Sequence, residues 1–311
     1  MITSVFKKST PLNFSLVVFL ILFFGFIYQI QDLAWSHSAI LVLEKIGIGL
    51  IILASALITT FVTKKNDLSR DSAYSILFFL LFLLFFPSLF DNFNLVLANF
   101  FILLAFRRLI SLQSQKVSKE KIFDASIWIF VASLFHFWCI LYLILVFISI
   151  IAHVAGDYRN WILPFIAFFA IAILFALYSL LFNNDAINYI VNGVQTNFSI
   201  DYFTNDYQNA ALSIYATMAL FFIISIAMTL SSRPLLLHAS FKKILYAFFI
   251  GVVIYVISEG KSNDLLVFTI APLAMMATSH IEMPQIKLNQ ELALGIVMLC
   301  SLFAFFSQII V

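Results

Sequence analysis

The sequence predicts an all-α polytopic integral membrane protein, on three observations. Of 311 residues, 63% are hydrophobic and 10% are charged, against roughly 45–50% and 25% in an ordinary soluble domain. Mean hydropathy is +1.08. Apolar runs recur that are long enough to cross a hydrocarbon core of about 30 Å, and they do not alternate polar and apolar residues as barrel strands would.

Taken in order, the runs bounded by charge, Pro or Asn clusters fall at 12–30, 40–62, 73–90, 95–112, 122–137, 138–154, 161–182, 210–230, 244–257, 265–278 and 292–311, eleven membrane-embedded helices in all. The first follows Lys7 and Lys8, and no small-residue cleavage site comes after it, so it reads as a retained span. The pairs 122–137 with 138–154 and 244–257 with 265–278 are shorter than a perpendicular span needs, which fits tilted, broken or re-entrant hairpins. Phe and Leu fill all sides of the run 78–86, a pattern suited to lipid contact or to bundle core. No repeat or linker divides the chain, so 1–311 reads as a single integral membrane domain.

Basic residues set the orientation. With the N-terminus cytoplasmic, eleven crossings put Lys7, Lys8, Lys64, Lys65, Arg70, Arg107, Arg108, Lys116, Lys119, Lys121, Arg159, Arg233, Lys242, Lys243 and Lys287 inside. Only Lys261 then lies in an outside loop, Lys45 falls within the second span, and the C-terminus is outside. A net charge of +2 with its basic residues between spans excludes a nucleic-acid partner and leaves membrane lipids as the expected surroundings. Cys139 and Cys300 stand far apart in apolar runs and read as packing groups.

Polar residues gather in four outside loops. They hold Asp32 and His37; Asp91, Asn92 and Asn94; the long extracytoplasmic loop 183–208 with Asp185, Asp201 and Asp206; and Glu259, Lys261 and Asp264. Carboxylates there can act as a general base or hold a divalent cation, and a lone Lys can hold a phosphate. The positive-inside rule alone also leaves outside loops acidic. Loop 183–208 suits a surface element over a cavity or a solvated connector with Tyr and Phe anchors. Asn197-Phe198-Ser199 has the form of a glycosylation acceptor. The five His are divided between both sides, and His136, among aromatics at the outer end of a hairpin, is the one that invites a test. Glu44 and Lys45 in the second span and Asp124 in the fifth draw notice because ionisable groups in lipid are costly.

Ser258-Glu259-Gly260-Lys261, followed by Phe268 and then Pro272-Leu273-Ala274, resembles the Lys, apolar run and Pro-Leu-Ala pattern of the GT-C superfamily of glycosyltransferases. Phe86-Pro87-Ser88-Leu89-Phe90-Asp91 leading into 95–106 is similar to that superfamily's third span, second loop and fourth span. The stretch 125–161 is similar to its next hairpin and basic turn. The overall pattern also resembles a family of Bacteroidota polytopic membrane proteins, which brings no activity with it.

The GT-C resemblance implies sugar transfer from a polyprenyl-phosphate carrier at the outer face of a bacterial inner membrane. Asp32 or Asp91 would then be catalytic or hold a metal, Lys261 would hold the lipid phosphate, and His37, His136, Glu259 and Asp264 would line the cavity. The chain departs from the family in the first outer loop, where Asp32 stands alone instead of in an acidic pair, and in having no large soluble C-terminal domain. A non-catalytic subunit of an envelope assembly or secretion complex, partnered by other envelope membrane proteins, accounts better for the missing pair. A small-solute transporter would show related halves or broken helices, and neither is evident.

The orientation has a direct check. Reporter fusions at Lys65, Lys116 and Lys242 are expected to read cytoplasmic and one at Asn197 external; an external signal at Lys116 would overturn the count of spans.

Overall fold

The computed structural model describes residues 2–182, 186–199 and 205–309. Its helices are α1 (Ile2–Phe6), α2 (Pro11–Gln29), α3 (Ala39–Lys65), α4 (Tyr74–Leu83), α5 (Phe93–Ile110), α6 (Ser118–Phe135), α7 (Leu143–His153), α8 (Arg159–Phe182), α9 (Ala186–Gly193), α10 (Asp206–Thr229), α11 (Leu235–Ile257), α12 (Val267–Ile281) and α13 (Lys287–Ile309). Short 3-10 turns join several of them, among these Leu33–His37, Pro87–Phe90, Phe137–Tyr142 and Asn263–Leu266. Among the described residues no strand forms, and Thr196 and Ser258 make an isolated bridge.

Helix starts are legible in the chain. Thr10 accepts from the Asn13 amide at 3.3 Å, with Pro11 in the first turn of α2. Asn92 accepts from Leu95 at 3.3 Å to open α5, and Asn205 accepts from Tyr207 at 3.0 Å to open α10. Each cap satisfies an amide that the first turn leaves without an intrahelical partner.

Among the described residues eight segments are long and apolar enough to cross a membrane: Pro11–Gln29, Ala39–Lys65, Phe93–Ser114, Arg159–Phe182, Asp206–Ser232, Leu235–Ile257, Asn263–Ile281 and Lys287–Ile309. The architecture is therefore that of a multi-pass helical membrane protein. The other three apolar runs are helical too, but Tyr74–Leu83 and Phe137–His153 are shorter, and α6 carries Lys119, Glu120, Lys121 and Asp124 in its first two turns. The pair expected to be short at 244–257 and 265–278 is instead of full length. Apolar counting stops at Lys242 and Lys243, whereas α11 runs through them, because the Lys243 ammonium is buried and donates to the Leu109 carbonyl at 2.6 Å. The run 73–90 is interrupted: α4 ends at Leu83 and a 3-10 turn begins at Pro87, whose ring supplies no N–H to continue the ladder.

All ten residues of α4 are buried, as are fourteen of the fifteen in α12. These two helices pack on each other at the centre. The Phe-rich run is core: Phe78, Phe79, Phe82, Phe85 and Phe86 are essentially inaccessible, with Tyr215 and Phe222 of α10 edge-on to several of their rings. Buried hydroxyls find partners across helices. Thr63, Ser75 and Thr278 form a chain through α3, α4 and α12 at 3.0 and 3.2 Å, and Tyr215 meets Thr269 at 2.7 Å. In contrast α8 lies on the periphery, with only Asn160, Pro164, Ala167 and Ser179 buried.

Loop contacts sort into two ends. At one end Arg108 pairs with Asp124 at 2.7 Å, Lys119 with Asp157 at 3.0 Å and Lys64 with Asp71 at 3.0 Å, and the Arg70 amide donates to Glu282 at 2.7 Å. Asp124, which drew notice as an ionisable residue in the fifth apolar run, is ion-paired at this end with Arg108. At the other end lie Asp91, Asp264, the His136–Ser258 contact at 3.1 Å and the Gln31 bond to the Ile309 carbonyl at 2.6 Å.

Gly251 is where α11 meets the start of α12. A Cβ there would stand 2.8 Å from Thr269 Cγ2 and 3.2 Å from the Phe268 carbonyl carbon, while a Cβ on Gly295 would meet nothing within 4 Å. Gly251→Ala is expected to cost about 1–3 kcal/mol through overpacking, read as a lower melting temperature in detergent, with Gly295→Ala no less stable than the parent. Equal melting of the two variants would contradict this packing.

Candidate functional site

The acidic end is built around Asp91. Pro87 starts the turn Pro87–Phe90, and Asn92 caps α5, so Asp91 sits at the junction, facing the ends of α2 and α3. Its carboxylate accepts from Tyr28 Oη at 3.0 Å and Gln29 Nε2 at 2.9 Å, and forms an ion pair with Lys45 of α3. Gln29 also donates to the Phe90 carbonyl at 3.0 Å. Burial pushes the Asp91 carboxyl up, but the bonds from Lys45, Gln29 and Tyr28 outweigh it and hold the group below the usual carboxylate range.

Two cavities meet at this pair. Above it is an open polar cup of about 430 Å³ lined by Tyr28, Glu44, Ser88, Asp91, Asn92 and Asp264. Asp264 is buried, accepts from Ser88 Oγ, and is also bonded by the Asn92 side chain. Below is a groove of about 230 Å³ between α2 and α3, in which Gln29, Trp35 and Lys45 join an otherwise apolar wall. Leu22, Phe26, Ile46 and Leu50 form its flank and are exposed on the side of the bundle. Gly25 lets the Phe90 ring close the back of the groove, since a Cβ there would stand 2.9 Å from Phe90 Cε1. Trp35 Nε1 donates to the Gln29 carbonyl at 2.9 Å, which fixes the indole over the groove.

The residues singled out from sequence are divided. Asp91 and Asp264 share the cup. His136 and Glu259 line a separate cavity of about 340 Å³ beside Trp138, Gly193 and Ser258. The His136 ring meets Ser258 Oγ at 3.1 Å. Lys261 lines neither space; its ammonium donates to the main-chain carbonyls of Asn197 and Ser258, tying the long loop to the segment that follows α11. Asp32 and His37 are exposed at the turn Leu33–His37 and line neither cup nor groove. Within 183–208, residues 183–185 and 200–204, including Asp185 and Asp201, lie outside the described residues. Among the described residues no group of three or more His, Cys, Asp or Glu is placed to hold a metal ion.

Lys45, Tyr28 and Gln29 complete a site that sequence reasoning left incomplete. The one signal was Lys45 itself, a cation inside an apolar run, which needs a partner when it is not at a water-exposed end. The chain matches no protein-family model, no curated protein and no solved structure. The site is therefore read from its own geometry.

Lys45 and Asp91 have side-chain exposures of 20% and 47%, between a surface pair and a buried one, so a double-mutant cycle with Lys45→Met and Asp91→Asn is expected to give a coupling of about 1 kcal/mol. The Asp91 carboxyl is depressed in the fold, so its contribution is present above the unfolded carboxylate value and is lost as pH falls through the lower folded value. Melting curves should show a gap between parent and Asp91→Asn at pH 7 that closes under acid. A gap that persists at pH 2 would contradict the ion pair.

Proposed function

We propose that the protein handles a polyprenyl-phosphate-linked sugar at its acidic end and transfers the sugar in the manner of GT-C enzymes, from the outer face of a bacterial inner membrane. In this reading all eleven apolar helical segments are membrane-embedded. The observation that carries it is the Lys45–Asp91 pair standing between an apolar groove open to the lipid side and a polar cup. A molecule with a hydrocarbon tail, a phosphate and a sugar meets those three environments in that order.

The tail lies along α2 and α3. Lys45 exchanges the Asp91 carboxylate for the carrier phosphate, neutralising charge that grows on the leaving group. Asp91, released from the contact that depresses its pKa, becomes the stronger base. An acceptor hydroxyl in the cup then attacks the anomeric carbon, forming the new glycosidic C–O bond. The bond from that carbon to the phosphate oxygen breaks, the electron pair leaves with the polyprenyl phosphate, and the hydroxyl proton passes to Asp91. Asp264, tied to Ser88 and Asn92, holds the cup's far wall and adds a second acceptor for sugar hydroxyls.

The test uses the full chain in nanodiscs with a polyprenyl phosphate and its radiolabelled glycosyl derivative. Lys45→Ala is expected to weaken polyprenyl phosphate binding tenfold or more, and Asp91→Asn to retain binding and lose transfer by at least a hundredfold. Absence of polyprenyl phosphate binding by the parent, or binding unchanged in Lys45→Ala, would overturn this reading in favour of a non-catalytic envelope subunit.

A further inference from the structure

A second polar cavity, of about 630 Å³, lies at the opposite, basic end of the bundle. Its walls come from the loop between α3 and α4 (Ser69, Arg70), the turn between α10 and α11 (Arg233) and the end of α12 (Ser279, Glu282). Three of these residues carry buried polar atoms with no hydrogen-bond partner: Ser69 Oγ, Ser279 Oγ and, on one guanidinium, Arg233 Nε and Nη2. Only Trp138 Nε1 and Asn160 Oδ1 share that condition elsewhere among the described residues, so four of the six such atoms belong to one cavity wall. A buried donor left unpaired is destabilising, and four together call for a common partner.

The chemistry of the donors specifies that partner. Nε and Nη2 form the side-on edge of a guanidinium, which takes two oxygens of one oxyanion in parallel. The guanidinium also packs on an aromatic face, its carbon 4.1 Å from the Phe241 ring centroid. Ser279, only 3% exposed, and Ser69 bring hydroxyl donors from two other elements. The nearby Glu282 carboxylate attracts Arg233 through space, but its hydrogen bonds go elsewhere, from the Arg70 amide at 2.7 Å to one oxygen and from Ser72 Oγ to the other. Asp67, the remaining acid of the lining, is exposed.

We propose that this cavity binds a phosphate group, either that of a phospholipid headgroup or a free phosphate anion, with Arg233 taking two oxygens and Ser69 and Ser279 the others. The site is independent of the transferase reading, because it lies at the other end of the bundle and shares no residue with the cup or the groove.

The purified full chain in detergent is titrated with inorganic phosphate by calorimetry. In parallel, native mass spectrometry counts phosphatidylglycerol retained after exchange, with phosphate-free diacylglycerol as the comparison. Binding in the first arm identifies a free anion, and selective retention in the second identifies a headgroup. In whichever arm binds, Arg233→Gln is expected to weaken binding tenfold or more and Ser279→Ala threefold or more, while Lys119→Gln, at the same end, leaves it unchanged. The double variant Ser69→Ala with Ser279→Ala carries the test if Arg233→Gln does not fold. The proposal is overturned if the parent binds neither probe, which leaves water as the partner of these donors, if the serine variants bind as the parent does, or if Lys119→Gln weakens binding as much as Arg233→Gln.

Discussion

Two helices buried on every side, α4 and α12, set the terms for everything around them. A helix with no exposed face has nowhere to place an unpaired polar group cheaply, so the hydroxyls in its middle are answered by neighbours, while Ser279 at the end of α12 turns to the basic-end cavity. Ser75 and Thr278 are answered by each other and by Thr63, and Thr269 by Tyr215. Those bonds fix α3 and α10 in register against the central pair. Gly251 then allows α11 to approach close to the start of α12. The long helices of the periphery are held through these contacts and turn apolar side chains outward to lipid, which is why α8 can be almost wholly exposed and still belong to the bundle.

The same arrangement makes the two ends chemically different. The breaks in the central helices fall at the acidic end, at Pro87–Phe90 before α5 and at Asn263–Leu266 before α12, and there the chain frees Ser88, Asp91, Asn92 and Asp264 from helical duty to face one another. Helix ends give a site what helix middles cannot, because side chains converge there without displacing the ladder. The basic end is knitted by ion pairs among helix ends and the loops beside them, and its large cavity opens where three loops meet without filling the space between them.

The site was partly legible. Asp91 and Asp264 stand out in sequence as carboxylates in loops between apolar runs, and they share the cup although 173 positions separate them. Lys261, the one cation expected in an outer loop, drew the phosphate role by its isolation, yet the cation beside Asp91 is Lys45, one turn and a half into an apolar helix. Loop membership is a property of the chain, whereas proximity to Asp91 depends on how α2, α3 and α5 pack. Neither Tyr28 nor Gln29 differs in sequence from an ordinary residue at the end of a span, and both become partners only because α2 ends level with the turn after Pro87.

By itself the sequence determined that the chain is helical, where almost every apolar run lies, and which loops carry the basic residues. Those are consequences of local composition: in a medium without water the backbone must bond to itself, and an apolar run can do so only as a helix or a closed barrel. Tertiary structure decided which apolar runs are core. The Phe-rich run 78–86 and the equally greasy stretch of α8 read alike, since lipid tails and protein interiors offer the same solvent to a Phe ring, yet the first is inaccessible and the second exposed. It also decided that Lys242 and Lys243 belong inside a helix, because whether a lysine can be buried depends on a carbonyl, here that of Leu109, supplied from 134 residues away.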